Sequence, residues 1–161
     1  LPRRLVLKEL IMKRLHVHIA VEDLDQSIAY YGALFGTEPQ KVRPGYARWM
    51  LDDPKVNFAI SSDRGTTGIS HLGLQADDDD ELAVIEERIA AAGGTHDAAE
   101  ETHCCYARTR QGWATDPQGI RWEAFVTRGD SEIMARTVVR DEAETEEASC
   151  CAPTCCAPAA E

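Results

Sequence analysis

Two adjacent cysteines, Cys104 and Cys105, precede the segment Asp116-Pro117-Gln118-Gly119-Ile120-Arg121-Trp122-Glu123. Neighbouring thiols form only a strained disulfide with each other, because the adjacent backbone opposes the preferred bridge geometry. They suit a soft atom that accepts two sulfurs at once, the kind of centre that thiolates select. Upstream, His16 and His71 each lie in a short strand-like stretch, and with Glu123 they supply two imidazoles and one carboxylate. That donor set suits a divalent transition metal, Fe(II) with open positions above all. Spacing alone leaves a plainer alternative, in which the three are unrelated polar residues.

The elements that must position these groups are legible in the chain. Leu15-His16-Val17-His18-Ile19-Ala20-Val21 alternates and is rich in β-branched residues, so it reads as a strand. Asp23 then makes an N-cap with Gln26 at the capping-box position. Apolar Leu24, Ile28, Tyr31, Leu34 and Phe35 follow at helical spacing, and Gly36 closes the helix. The same grammar recurs from Ser70: His71 to Leu74 as strand, the acidic run Asp77 to Asp80 as cap region, then Leu82, Ile85, Ile89 and Ala92, ending at Gly93-Gly94. Three strand-like pieces follow each helix. In the first half they are Gln40 to Arg43, Ala47 to Leu51 and Val56 to Ser61; in the second, Thr95 to Ala99, Gly112 to Thr115 and Ile120 to Val126.

Each half therefore spells βαβββ, and the duplication is the main organising fact of the chain. The fold class it predicts is α+β, two βαβββ modules over residues 12–64 and 65–127 that share one cup-shaped mixed sheet. Residues 1–11 read as a leader, with Met12 a candidate natural start, and 128–140 as a C-terminal extension. His16 and His71 occupy matching first strands, and Glu123 lies in the last strand of the second module. Asn57, in Val56-Asn57-Phe58, mirrors Glu123 in Trp122-Glu123-Ala124. An amide is a poor fourth ligand, so a metal here keeps positions for substrate, as catalytic sites do.

Composition sets the class. A chain of 161 residues with 43% hydrophobic content can bury a core as one ordinary domain. Its apolar runs fall far short of the roughly 20 residues of a transmembrane helix. The net charge of −11 is uneven, since residues 141–161 hold six acidic residues and no basic one, leaving −5 for the rest. That balance offers no footprint for nucleic acid. The six cysteines fall as adjacent pairs, Cys104-Cys105, Cys150-Cys151 and Cys155-Cys156. A disulfide scaffold spaces its cysteines through the fold, so reduced thiols in the cytoplasm are the expectation. Residues 141–161, acidic and rich in Ala and Pro, read as a disordered tail. Its four thiols are either a flexible scavenger of soft metals or dispensable.

His16 with Asp23-Leu24 seven positions on, Tyr30-Tyr31, Leu34-Phe35-Gly36, His71, and Asp116-Pro117-Gln118-Gly119 leading to Glu123 resemble the vicinal oxygen chelate superfamily of glyoxalases, fosfomycin resistance proteins and extradiol dioxygenases. The resemblance spans Lys13 to Thr127. Within it, Cys104-Cys105-Tyr106-Ala107, the following Gly112-Trp113-Ala114-Thr115-Asp116-Pro117 and the Cys-rich end resemble the carbon-arsenic lyases, relatives of proteins labelled cadmium-induced. The resemblance implies Fe(II) on His16, His71 and Glu123. It also implies a substrate-binding thiol pair at Cys104 and Cys105, and dioxygen-dependent removal of the organic group from trivalent organoarsenicals such as methylarsenite.

Other readings stay open at this level. His18 shares a strand face with His16, and the register from Asp23 favours His16 as ligand, with His18 beside the site or packed in the core. His96, His103 and the acid run Asp77 to Glu81 read as surface groups and a helix N-terminus. The stretch Glu100 to Gly112 is longer than a tight hairpin needs and suggests a mobile loop carrying the thiols. A soft-metal sequestering protein and an extradiol-type ring-cleaving dioxygenase are the alternative functions. Either a monomer or a homodimer with exchanged modules would use the same strands.

Overall fold

The computed structural model describes residues 13–62, 65–93, 95–134 and the backbone of 137–138. The expected leader and the Cys-rich tail, with Cys150, Cys151, Cys155 and Cys156, lie outside the described residues. The first unit runs β1 (Arg14–Ala20), α1 (Leu24–Phe35), β2 (Lys41–Arg43), β3 (Tyr46–Asp52) and β4 (Lys55–Ser61). The second runs β5 (Gly68–Ala76), α2 (Asp79–Ala91), β6 (Thr95–Cys104), β7 (Ala107–Thr115) and β8 (Arg121–Asp130), and β9 (Thr137–Val138) follows. Among the described residues no helix is long and apolar enough to cross a membrane.

Both helices start where their caps dictate. The Asp23 carboxylate accepts from the Gln26 amide at 2.9 Å, and Gly36 closes α1 in the left-handed conformation at φ 66°. In α2 the Asp78 carboxylate accepts from the Glu81 amide at 2.8 Å. Glu81 is not a surface group: it is buried, accepts from the Asp77 amide at 2.8 Å and pairs with Lys13 at 2.7 Å. The helix N-terminus needs that carboxylate more than solvent does.

All strands join one mixed sheet in the order β2-β3-β4-β1-β5-β8-β7-β6-β9. The units meet at its centre, where β1 and β5 pair antiparallel, while β1–β4 and β5–β8 are parallel. The helix-facing side carries separate cores. Beneath α1, Ala47, Trp49, Phe58 and Ile60 pack with Leu24, Ile28, Tyr31 and Phe35. Beneath α2, Leu82 and Ile85 pack on Ala76, Ala124 and Val126.

The other side is concave. β3 and β6 lie far apart in strand order, yet the Tyr46 and Tyr106 rings, near the ends of these strands, are 5.8 Å apart, and Lys41 Nζ in β2 donates to the Tyr106 carbonyl at 2.8 Å. Only a sheet curled until its two wings meet allows both contacts. The expected cup-shaped sheet is what forms.

The second unit departs from expectation in its strands. β6 runs to Cys104 and β7 begins at Ala107, so residues 100–112 are most of a hairpin rather than a long loop. Cys104 pairs with Ala107 across a two-residue turn whose centre, Cys105 and Tyr106, has φ of 54° and 59°. Hairpins of this kind normally take Asn-Gly, so the sequence carried no turn signal. β8 likewise continues past 127 to Asp130, and β9 adds a short ninth strand against β6 from the expected extension.

Candidate metal centre and thiol pair

Strand alternation puts His16 and His18 of β1, Asn57 of β4, His71 and Gly73 of β5, and Glu123 of β8 on the concave face. His16 and His71 Nε2 are 3.2 Å apart, and Glu123 Oε2 lies 3.7 Å from the first and 3.6 Å from the second. Donors about 2.1 Å from one ion sit about 3.0–3.4 Å from each other, in octahedral or tetrahedral arrangement. The triangle is slightly wider than that and of the right shape, so His16, His71 and Glu123 fit a divalent transition metal on one face. All three are buried.

Each ring is oriented from behind. His16 Nδ1 lies 3.0 Å from the backbone carbonyl of Asn57, so Nδ1 carries the proton and Nε2 keeps its lone pair for the centre. His71 Nδ1 lies 3.1 Å from Ser70 Oγ. Burial pushes the His16 pKa down to about 4, against the opposing pull of the Glu123 carboxylate, and the neighbouring His71 lowers it further. His16 is thus neutral at pH 7, the state a metal needs.

His18 is nearer the centre than a packed core residue need be. With His16 and His71 it forms a buried trio whose ligand atoms all lie within 4.8 Å of one another and that could hold a metal ion. Its Nε2 contacts Ser61 Oγ at 2.9 Å and its ring is 4.8 Å from that of His71.

The ladder register corrects the simple mirror relation between the histidines. Asn57 pairs with His16, and Glu123 pairs with Gly73. If Asn57 is the counterpart of Glu123, the counterpart of His16 is Gly73, and His71 stands two residues earlier on the same face. Directly across the β1–β5 seam, His16 faces Gly73 and His18 faces His71. Gly73 is required where it is: a Cβ there would come within 2.5 Å of the Glu123 carbonyl oxygen and 3.2 Å of its Cβ.

The thiols reach the same place. Cys104, Cys105, His16, His18, Asn57 and Glu123 all line one small cavity of about 30 Å³. Cys104 and Cys105 are thiols with their sulfurs 3.2 Å apart. Their turn holds two residues in the left-handed region, which costs on the order of 1–3 kcal/mol per residue and persists only where the surroundings enforce it. The surroundings do so. The Cys105 amide donates to the Met134 carbonyl at 2.9 Å, the Tyr106 amide to the Ile133 carbonyl at 2.9 Å, and the Tyr106 hydroxyl to the Pro44 carbonyl at 2.9 Å.

Tyr46, Arg48 and Gln111 also line this cavity and were not singled out in the sequence. The signal was present, since Arg48 and Gln111 interrupt otherwise packed strands at concave-face positions. His103 is bound to Ser131 Oγ at 2.8 Å on the outer side of the turn, and His96 is exposed.

A curled mixed sheet with an imidazole-carboxylate centre on its concave face defines a class, and residues 13–124 match it: the chain belongs to the Glyoxalase/Bleomycin resistance protein/Dioxygenase superfamily, the vicinal oxygen chelate proteins. Within that class it is similar to two proteins named trivalent organoarsenical cleaving enzyme. The one from Bacillus sp. strain MD1 is 36% identical over 89% of this chain and 92% of its own length. The one from Thermomonospora curvata is 33% identical over 88% and 90%. The solved Mn(II)-bound glyoxalase from Novosphingobium aromaticivorans has the same fold, with a TM-score of 0.53 and 19% identity over 77% of this chain and 44% of that one.

Proposed function

We propose that this protein cleaves the carbon-arsenic bond of trivalent organoarsenicals such as methylarsenite and releases inorganic arsenite, using Fe(II) and dioxygen. The observation that carries the reading is that the Cys104-Cys105 pair lines the same buried cavity as His16 and Glu123. The names of the similar proteins point the same way. His16, His71 and Glu123 hold the metal, which when bound supplies dioxygen activation.

The protein's own contribution is capture and orientation. Cys104 and Cys105 displace the two hydroxyls of methylarsenite, two waters leave, and arsenic is fixed by two sulfurs with its organic group inside the cup. Holding the reactants together supplies much of the rate. His16 is kept neutral and correctly turned by burial and the Asn57 carbonyl. Asn57 in place of a fourth acidic ligand leaves coordination positions open.

The test is turnover of methylarsenite by iron-loaded protein with and without oxygen, beside a Cys104→Ser, Cys105→Ser variant. Arsenite forms only with oxygen and only with the thiols. Turnover without oxygen, or full activity in the variant, refutes the mechanism. A sequestering protein would instead bind arsenical as tightly after His16→Ala and give no product.

A further inference from the structure

The cavity that the thiols share with the metal centre contains polar atoms the proposed chemistry has not used. Gln111 is 1% exposed, and its Oε1 accepts from the Thr109 hydroxyl at 2.7 Å, which turns the amide NH₂ the other way. Asn57 is 3% exposed, and its Nδ2 donates to Gln75 Oε1 at 2.9 Å, which leaves its carbonyl oxygen directed elsewhere. Gln111 Nε2, Asn57 Oδ1 and Arg48 Nε are each buried with no hydrogen-bond partner, and all three residues line the cavity.

Buried polar groups without partners cost free energy, and natural proteins keep few of them without a ligand to satisfy them. Two donors and one acceptor are thus carried by residues of β7, β3 and β4 that line one cavity. One hydroxyl group fits that set: its oxygen accepts from Gln111 and Arg48, and its proton goes to Asn57.

We infer that Gln111, Arg48 and Asn57 form a hydroxyl subsite for arsenic held on Cys104 and Cys105, one that recognises inorganic arsenite rather than the organoarsenical. The inference rests on the thiol capture proposed above. Capture is an exchange without oxidation or reduction: two S–H and two As–O bonds break, two As–S bonds form, and two waters leave. Methylarsenite captured in this way keeps its methyl group, which can neither accept from Gln111 nor donate to Asn57. Arsenite captured in the same way keeps one hydroxyl. The subsite therefore favours the species present once the carbon has gone, and product release is the step it slows.

The experiment measures binding rather than turnover. Dissociation constants for arsenite and methylarsenite are determined anaerobically on the full-length chain carrying Cys150→Ser, Cys151→Ser, Cys155→Ser and Cys156→Ser, so that tail thiols do not contribute. Gln111→Leu, and separately Arg48→Met, weakens arsenite tenfold or more and leaves methylarsenite within about twofold. Should Gln111→Leu fail to fold, the Arg48→Met protein decides alone. Equal weakening of both ligands, or no change in either, shows that these atoms hold only water or structure, and overturns the subsite while leaving thiol capture intact. Undiminished methylarsenite binding in the Cys104→Ser, Cys105→Ser protein overturns thiol capture, and the subsite with it.

Discussion

The two βαβββ units use one architecture for different ends. The first packs α1 on an aromatic core in which Trp49 is fully buried, and it gives the concave face His16, His18 and the neutral Asn57. The second packs α2 on smaller aliphatic side chains, leaves an apolar cavity of about 580 Å³ beside them, and supplies His71, Glu123 and the thiol hairpin. The carboxylate and the thiols come from the second copy, while the first supplies imidazoles, an amide and Arg48. The two units present equivalent strands to the concave face, and the inward positions differ so that one carboxylate, Glu123, stands where the other unit has an amide, Asn57.

The sharpest way to break this comparison is at the mirrored pair. If the proposed Fe(II) site holds, Glu123→Ala removes one of its three donors and is expected to lower affinity for Fe(II) by about a thousandfold, roughly 4 kcal/mol. Asn57→Ala changes it by less than tenfold, because Asn57 holds His16 through its backbone carbonyl, which the substitution keeps. Anaerobic titration calorimetry reads both, and equal losses would mean that the units share the metal alike.

A smaller effect is expected from acid. His16 in the folded, metal-free protein has its pKa depressed from 6.5 to about 4, so between these values the unfolded chain binds the proton more readily. Stability is complete above pH 6.5 and declines as pH falls toward 4, by up to about 3 kcal/mol. Urea denaturation at pH 7 and pH 4.5 reads the decline. It shrinks in His16→Gln; an equal decline in that variant would assign the effect elsewhere.

Gly73→Ala probes the seam between the histidines and Glu123. A methyl group 2.5 Å from the Glu123 carbonyl oxygen forces β5 and β8 apart, and the thermal midpoint falls by the equivalent of about 1–3 kcal/mol. The smallest effects are at the helix starts. Asp23→Ala and Asp78→Ala each lose about 1 kcal/mol, and similar losses in denaturant titrations would show that the units differ in their faces rather than in how their helices begin.

Much of the fold was legible because it rests on local rules. The β1 alternation, the caps at Asp23 and the acidic run before α2, and the doubled strand-helix order all follow from side-chain period and hydrogen-bonding groups at element ends. The thiol turn was not legible. Cys105 and Tyr106 adopt left-handed conformations with neither Gly nor Asn present, and what holds them there is residues 131–134 and Pro44, distant in the chain. Glu81 similarly looked like one more acid in a surface run, and only Lys13 and the Asp77 amide show why it is buried.

The candidate site divides in the same way. Residue type determined the donor set, since imidazole, carboxylate and vicinal thiols have fixed preferences wherever they stand. Tertiary structure decided their register and their meeting: that His71 sits two residues from the mirror position of His16, that Gly73 rather than a side chain faces Glu123, and that the curl of the sheet carries the Cys104 hairpin over to the concave face. Strand pairing and sheet curvature depend on contacts between residues tens of positions apart, and no local pattern encodes them. Arg48, Asn57 and Gln111 belong to that second category, for their shared cavity exists only where three strands converge.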